Sequence, residues 1–423
     1  MASAKLSFRK FLLVIAMAAI SITGARSGGV TTDQTWFPGG RLQQFGSFAG
    51  RTMRSAGSFT NMWLRVTANA AAQSVVDFRI NLIDTAILLT IPATTTGEFE
   101  DTGSEAVIAG DEVRVDLDHG DQTNSLTISL VNLVFSATTN TVCVPLMCNS
   151  GSLSTASTSF YYPLAGGAGG GSTTTEADAQ YKAKTAGTAK NLFANVDSNS
   201  RSTATTADFR INGSSGTQTV SITASTTGVF EDTTHTDSVA IDDLINYRIA
   251  LGTGTGSIRL AHFSDEFETT NTAWPLVGGE PAGNSLSTST TYFYTVGGGF
   301  FQSTTELNTR AEQKVAFTWS KLACYVPANT IADTSTLRAR INGSNGNQVV
   351  SITTLATGYF EDISNTDAVA ATDEINYSFV MGAVGTALTL SQLASLGQIT
   401  VPAGGAINIV PLLIAQRRMS MVA

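Results

Sequence analysis

Charged side chains, histidine and cysteine are all scarce in this chain of 423 residues. Lys, Arg, Asp and Glu together make up 13% of it, whereas about 25% is usual for a soluble domain. The formal net charge is −9, which argues against sequence-independent nucleic-acid binding because such binding needs clustered Lys and Arg. The 3 His and 3 Cys are too few for an elaborate metal or redox centre.

Apolar residues are nevertheless abundant enough to build cores, at 42% of the chain. The polar residues are dominated by Thr, Ser, Gly and Asn, and a Thr-rich chain poor in Lys and Glu favours strands. Composition therefore predicts a large all-β protein with a structural or binding role.

The first 33 residues form a hydrophobic N-terminal segment with two interpretations. Lys5, Arg9 and Lys10 precede an apolar stretch at 11–22, which is too short to span a bilayer as a helix. The pattern is typical of a secretory signal cleaved after Ala25. The same residues could equally form a retained arm that docks into a partner. No other stretch predicts a membrane span.

Three tandem copies of one sequence unit follow this segment. An Arg-Ile-Asn block, a Thr-Gly-x-Phe-Glu-Asp block and a strand that begins after Asp recur about every 130 residues. The copies are marked by Arg79, Arg210 and Arg340; Gly97, Gly228 and Gly358; Phe99, Phe230 and Phe360; and Asp101, Asp232 and Asp362.

Within each copy the apolar residues alternate with a period of two, as in Ile245, Tyr247, Ile249 and Leu251, which is typical of strands with one face in a core. We therefore predict an all-β fold of three tandem antiparallel β-sandwich or jelly-roll-like domains of roughly 130 residues each. The predicted divisions are 1–33 for the N-terminal segment, then 34–159, 160–291 and 292–423.

The recurring residues have structural explanations. The three glycines predict turns with positive φ, and the three phenylalanines predict core anchors. The recurring arginines and the recurring Glu-Asp pairs predict Arg–carboxylate contacts between neighbouring strands. A ligand-binding role for the arginines is the alternative.

No catalytic constellation is evident, and we predict that the protein is not an enzyme. His119, His235 and His262 do not recur at equivalent positions, and no nucleophile elbow, zinc motif or phosphate-binding loop is present. No cofactor is expected. Calcium could use the carboxylates between Glu231 and Asp243, although their spacing does not match an EF-hand.

Copy 1 departs from the other copies near its Arg-Ile-Asn block. It has Leu82 and Ile83 where they have Gly and Ser, and Leu88 is out of phase with the inward residues of its strand. Exposed apolar residues often mark a contact surface, so Leu82, Ile83 and Leu88 predict that copy 1 docks onto an assembly. Residues 407–414 are apolar on both faces and predict either a central strand of the third sandwich or a second contact.

The three recurring blocks resemble β-sandwich modules of structural proteins in tailed bacteriophages, such as fibre and head-decoration proteins. The resemblance covers roughly residues 34–423 and implies a non-enzymatic virion component with jelly-roll-like modules. It also implies a homo-oligomer, with a trimer favoured, whose other partners are virion proteins.

A second function class remains open from the sequence. The signal-like N-terminus suggests a secreted or cell-surface adhesin that binds glycans. Aromatic residues such as Tyr161, Tyr162, Tyr292 and Phe293 could stack on sugars. The sequence leaves open whether the three copies form a line or a pseudo-threefold ring.

Overall fold

The computed structural model describes residues 19–25, 29–36, 50–138, 142–148, 151–154, 158–165, 172–269, 273–297 and 301–399, and all structural statements concern these residues. Their strands form six sheets in three pairs. We call the pairs modules 1, 2 and 3, which span 19–138, 142–269 and 273–399. No helix in the described part of the chain is long and apolar enough to cross a membrane.

Module 1 contains nine strands in two antiparallel sheets. One sheet has the order β1-β9-β4-β7; the other has the order β2-β8-β5-β6, with β3 also paired to β8. The strands are β1 (Ala19–Ala25), β2 (Gln34–Trp36), β3 (Arg51–Thr52), β4 (Gly57–Asn69), β5 (Ser74–Ile80), β6 (Ile83–Ile91), β7 (Gly97–Val107), β8 (Glu112–Asp118) and β9 (Leu126–Ala137).

Module 2 repeats this arrangement and adds one helical turn, α1 (Glu176–Ala179). Its strands are β10 (Val142–Cys148), β11 (Ser159–Tyr162), β12 (Tyr181–Lys182), β13 (Gly187–Asn199), β14 (Thr205–Ile211), β15 (Ser214–Ile222), β16 (Gly228–Val239), β17 (Leu244–Leu251) and β18 (Ile258–Thr269). The sheets have the orders β10-β18-β13-β16 and β11-β17-β14-β15, and β12 pairs with β17.

Module 3 has a 3-10 turn at Glu306–Asn308 in place of α1. Its strands are β19 (Ala273–Ser287), β20 (Thr291–Tyr294), β21 (Gln302–Ser303), β22 (Ala311–Glu312), β23 (Phe317–Val326), β24 (Ala328–Asn329), β25 (Ser335–Ile341), β26 (Ser344–Ile352), β27 (Gly358–Val369), β28 (Glu374–Val380) and β29 (Ala387–Gln398). The sheets have the orders β19-β29-β23-β27 and β21-β20-β28-β25-β26. In addition, β22 pairs with β28, and β24 pairs with β29.

The strand order identifies each module as a jelly roll. When the eight main strands of a module are numbered along the chain, one sheet has the order 1-8-3-6 and the other has the order 2-7-4-5. This is the double Greek-key arrangement of a jelly roll. The predicted all-β fold of tandem antiparallel jelly-roll-like units is therefore confirmed.

Each core lies between the two sheets of its module and contains an aromatic contact across them. In module 1, the Phe59 and Phe78 ring centroids are 4.8 Å apart. The corresponding contacts are Tyr247 with Phe263 at 4.7 Å and Trp319 with Tyr377 at 5.4 Å. These pairs join strands of opposite sheets, so each module is a sandwich packed about its own pair of sheets. The buried apolar residues of the three modules also touch across the junctions and form one continuous cluster.

The sheets place the module boundaries earlier than predicted. β10 pairs with β18 and β19 pairs with β29, so the predicted boundaries at 159/160 and 291/292 fall inside modules 2 and 3. Residues 19–25, predicted to belong to the N-terminal segment, form the first strand of module 1. Most of residues 1–33 and all of 407–414 lie outside the described residues.

Candidate assembly surfaces

Module 1 contacts module 2 through the residues that follow β3. The guanidinium of Arg54 forms a salt bridge of 2.7 Å with Glu231, and its Cζ lies 5.3 Å from the centroid of the Phe193 ring. The side chain of Arg54 is only 10% exposed, so the junction between modules 1 and 2 is largely closed to water. Burial and the nearby Arg51 charge lower the pKa of His262 at this junction to about 3, and so His262 is neutral at physiological pH.

The corresponding residues of module 2 contact module 3. Lys184 Nζ lies 2.5 Å from Glu361 Oε2, and Lys182 Nζ lies 2.9 Å from Glu361 Oε1. The Tyr359 hydroxyl donates a hydrogen bond of 2.9 Å to the carbonyl of Gln180. A carboxylate on one module therefore binds a cationic segment of the preceding module.

Module 3 makes the same kind of contact with module 1. Lys314 Nζ lies 2.8 Å from Glu100 Oε1. Arg65 donates a hydrogen bond of 2.6 Å to the carbonyl of Arg310 and also pairs with Glu374. The third junction thus joins residues from the two ends of the repeat array.

The three modules therefore form a closed pseudo-threefold ring. At each junction a cation from the segment that follows the two-residue strand β3, β12 or β22 binds the Glu of the recurring Glu-Asp pair on the next module. The pairs are Arg54–Glu231, Lys184–Glu361 and Lys314–Glu100. The linear and ring arrangements that the sequence left open are thereby resolved in favour of the ring.

The Asp of the recurring Glu-Asp pair acts within its own module. Asp362 accepts hydrogen bonds from the backbone amides of Val349 at 2.8 Å and Ser364 at 3.1 Å. Burial raises the pKa of Asp362, but hydrogen bonds from Asn365 and the backbone outweigh it, so the pKa lies below its ordinary value. Equivalent backbone hydrogen bonds are made by Asp101 and Asp232. This Asp joins neighbouring edges of the two sheets.

The recurring arginines bind carboxylates other than those predicted. Arg340 makes a two-pronged ion pair with Glu306, with N···O distances of 2.8 and 3.0 Å, and Arg210 binds Glu176 in the same way. Arg79 instead contacts three aspartates, which are Asp77, Asp84 and Asp116. The prediction that the arginines bind the Glu-Asp pairs is therefore wrong. The Glu of each pair binds a cation across the ring junction, and the Asp accepts hydrogen bonds from backbone amides at the sheet edge.

The recurring Gly and Phe positions lie at the start of the sixth main strand of each module. Gly97, Gly228 and Gly358 have φ of 125°, 112° and 107°, a region that residues with a Cβ rarely adopt. Phe99, Phe230 and Phe360 are half-buried and pack against the margin of the core. The glycines thus shape the turn that places these rings.

The tip of module 1 is the turn between β5 and β6, where a leucine has a strained backbone. Asn81 and Leu82 have φ of 52° and 68°, whereas the equivalent turns contain Gly213 and Gly343 at 76° and 77°. A left-handed conformation costs a residue other than glycine about 1 kcal/mol. The Leu82 side chain gains little burial in return, since it is 61% exposed.

The neighbouring loop adds a third exposed apolar side chain, Ile108, which was not predicted from the sequence. The Asp111 carboxylate accepts hydrogen bonds of 2.8 Å from both the Asn81 side chain and the Ile108 backbone amide. Ile83 and Ile108 are 70% and 65% exposed. The same hydrogen bonds in modules 2 and 3 identify Ala240 and Ala370 as the residues equivalent to Ile108.

We define the apolar tip as Leu82, Ile83 and Ile108. Modules 2 and 3 have small residues at all three equivalent positions, namely Gly213, Ser214 and Ala240, and Gly343, Ser344 and Ala370. Leu88 does not join this tip: although it is 43% exposed, it lies five residues further along β6, about 17 Å at strand spacing. The predicted contact thus divides into a tip and a separate leucine.

The carboxylates considered for calcium bind separate partners. Glu231 pairs with Arg54, Asp242 with Lys182, and Asp243 with Asn212. Within the described ranges, no three His, Cys, Asp or Glu side chains are grouped so that they could hold a metal ion.

The aromatics considered for glycan stacking are already engaged. Tyr162 is fully buried. The Tyr161 ring lies 5.7 Å from Arg210 Cζ, and the Phe293 ring lies 5.9 Å from Arg340 Cζ. The Tyr292 hydroxyl accepts a hydrogen bond from the Ser287 amide.

Comparisons with known proteins add little to these observations. No family model and no curated protein matches the chain. Among solved structures, the chain is similar to one described as the triple jelly roll fold and turret assembly in an archaeal virus. The match covers 89% of this chain and 91% of that chain, at 13% identity and a TM-score of 0.17. A superposition at this TM-score supports no conclusion about function, and the jelly-roll assignment rests on the strand order given above.

Proposed function

We propose that the protein is a non-enzymatic structural subunit of a virion and assembles with further copies of itself through the apolar tip of module 1. The observation that carries this proposal is the strained, exposed Leu82 at a position where both other modules have glycine. A backbone strain that gives no benefit to the isolated chain suggests a function outside it.

The tip offers one small, convex contact per chain. Three apolar side chains on a hairpin and its neighbouring loop cannot provide the 800 Å² or so that each partner contributes to a standard two-body interface. Several tips that meet at a rotation axis would bury one another. We therefore propose a homotrimer with the module 1 tips at its axis.

A virion setting accords with a role that needs no chemical step. Each sheet edge at a junction is held by its neighbour in the ring, which suits a rigid shell or spike component. The recurring blocks that resemble tailed-bacteriophage structural proteins support the same assignment, with virion proteins as further partners. The placement of the candidate stacking aromatics gives no support to a secreted or cell-surface adhesin that binds glycans.

Light scattering after size exclusion tests the assembly step. The wild-type chain should have three times the chain mass, and the variant Leu82→Gly/Ile83→Ser/Ile108→Ala should have the mass of one chain. A matched control is Leu355→Ser/Ile363→Thr, which replaces residues of module 3 that are 57% and 68% exposed with their module 2 equivalents. The control should remain trimeric. A wild-type protein with the mass of one chain would contradict the proposal.

The virion assignment needs a separate test. Particles released by producing cells can be treated with nuclease and sedimented, and the fractions probed for this protein. The protein should sediment with nuclease-resistant particles. Recovery only as free protein in the medium would contradict the virion assignment and favour the adhesin.

A further inference from the structure

The first strand of every module occupies an equivalent place at a sheet edge. β1 pairs with β9, β10 with β18, and β19 with β29. The registers correspond as well, because Pro145 lies opposite Glu266, Pro275 opposite Leu396, and Ser21 opposite Val134, which is the residue of β9 equivalent to Glu266 and Leu396. We call these places the first-strand edges.

The chain reaches two of these edges directly from the preceding module. β9 ends at Ala137 and β10 begins at Val142; β18 ends at Thr269 and β19 begins at Ala273. Such short connections suffice because consecutive modules touch in the ring. Module 3 touches module 1 in the same way, through Lys314 and Glu100 and through a hydrogen bond of 2.6 Å from Asn132, on β9, to the Glu312 carbonyl. The pseudo-threefold arrangement therefore predicts that the connection after β29 starts beside the first-strand edge of module 1.

The sequence beyond β29 contains the residues of a first strand. Val144-Pro145-Leu146 in β10 and Trp274-Pro275-Leu276 in β19 have a counterpart in Val410-Pro411-Leu412. Pro411 is separated from the end of β29 by more residues than Pro145 is from β9 or Pro275 from β18, and the intervening residues include Gly404 and Gly405. Residues 407–414 therefore have the sequence pattern of a first strand, and the connection that precedes them is long enough for them to pair with β9 at the first-strand edge of module 1.

The current occupant of that edge, β1, lies just before the signal-like cleavage position at Ala25. Cleavage there would remove β1 completely and expose backbone groups of β9 between Leu130 and Ser136, which an edge normally pairs or covers. We infer that residues 407–414 of the same chain occupy the first-strand edge of module 1 when residues 1–25 are absent, so that every module in the ring then takes its first strand from the chain leaving the preceding module.

Four chains test whether the two segments serve one edge: 1–423, 26–423, 1–399 and 26–399. Hydrogen exchange of the β9 amides between Leu130 and Ser136 provides the readout. Each single truncation should leave the protection within about threefold of the full chain, whereas loss of both segments should reduce it by about 100-fold or more. Equal protection in 26–423 and 26–399 would overturn the inference.

Disulfide trapping gives a second test if 26–399 does not fold. The chain 26–423, with its three native cysteines replaced by serine, carries Val134→Cys with Pro411→Cys. A disulfide within one chain is expected. A matched positive control is Pro145→Cys with Glu266→Cys, the equivalent pair in module 2, and a negative control is Val134→Cys with Ser420→Cys. Absence of the disulfide, or a disulfide that joins two chains, would overturn the inference. Neither test depends on the apolar tip.

Discussion

Lys314 Nζ lies 2.8 Å from Glu100 Oε1, although these residues belong to the third and first repeats. The side chain of Lys314 is only 5% exposed and Glu312 is its second carboxylate partner. Burial lowers the pKa of Lys314, but the hydrogen bonds with Glu100 and Glu312 outweigh it, so the pKa lies above its ordinary value. The ring is thus closed by a charged contact whose lysine is shielded from water, while the side chain of Glu100 is 38% exposed.

Glu100→Gln should loosen this closure. The substitution leaves the buried ammonium of Lys314 with one carboxylate, and we expect a loss of about 2 kcal/mol in the free energy of unfolding because an underpaired buried charge is costly. Differential scanning calorimetry would report it as a lower transition temperature. Lys314→Met in the same chain should recover much of the loss, and failure to recover it would contradict this explanation.

Leu82→Gly should stabilise the isolated chain while it weakens assembly. Glycine removes the strain of a φ of 68°, so we expect a gain of about 1 kcal/mol in a dilute, unassembled sample. The matched control is Gly213→Leu, at a φ of 76°, which should cost a similar amount. Thermal unfolding of both variants measures the two effects, and a destabilising Leu82→Gly would show that the leucine packs within its own chain.

Asp265 should make stability decline as the pH rises. The carboxylate is fully buried and accepts a hydrogen bond of 2.6 Å from the Tyr247 hydroxyl, and burial raises its pKa from 3.8 to about 7. Between these values the folded state binds a proton that the unfolded state has lost, so this group's contribution is complete below pH 4 and is lost by about pH 7. Asp265→Asn should therefore add about 4 kcal/mol at pH 8 and almost nothing at pH 4.

Module 3 provides the matched control for this pH dependence. Ser395 occupies the position of Asp265 and accepts a hydrogen bond from Trp319 Nε1, while its hydroxyl lies 2.7 Å from that of Tyr377. Ser395→Asp should introduce a second decline in stability between about pH 4 and 7. Chemical unfolding at several pH values would reveal it, and a flat profile would contradict the assigned role of burial.

Arg340→Lys should show that the recurring arginine acts through its fork geometry. Lysine retains the charge but cannot make the two-pronged contact with Glu306, so we expect a loss of about 1 kcal/mol in the free energy of unfolding. Arg338→Lys is the control, since Arg338 lies on the same strand and makes no ion pair with the described residues. An equal effect of both substitutions in thermal unfolding would contradict the role of the fork.

Strand patterning and turn glycines were predictable because they are local. The alternation of Ile245, Tyr247 and Ile249 follows directly from the two faces of a strand, and Gly228 is required by the backbone at its own position. The module boundaries were missed because a first strand such as Val142–Cys148 follows the preceding module after only a few residues, a connection too short to stand out as a linker between domains.

Contacts between modules were beyond the reach of the sequence. Glu231 and Asp232 are adjacent, yet one binds Arg54 of another module and the other binds the backbone of its own module, and only the ring distinguishes them. Ile108 was missed because Asp111 brings it beside Leu82 across 26 residues of chain. Alignment of the copies, in which Ile108 corresponds to Ala240 and Ala370, was the signal that could have revealed it.

The ring of three covalently linked modules has a consequence for how its surface can change. In a symmetric complex of three identical chains, one codon change alters three positions at once, so an exposed apolar residue introduced in one subunit appears in all three subunits. Here a single codon change alters only one of the three modules. The three sectors of the ring can therefore diverge independently: module 1 exposes Leu82 at the turn where modules 2 and 3 have Gly213 and Gly343.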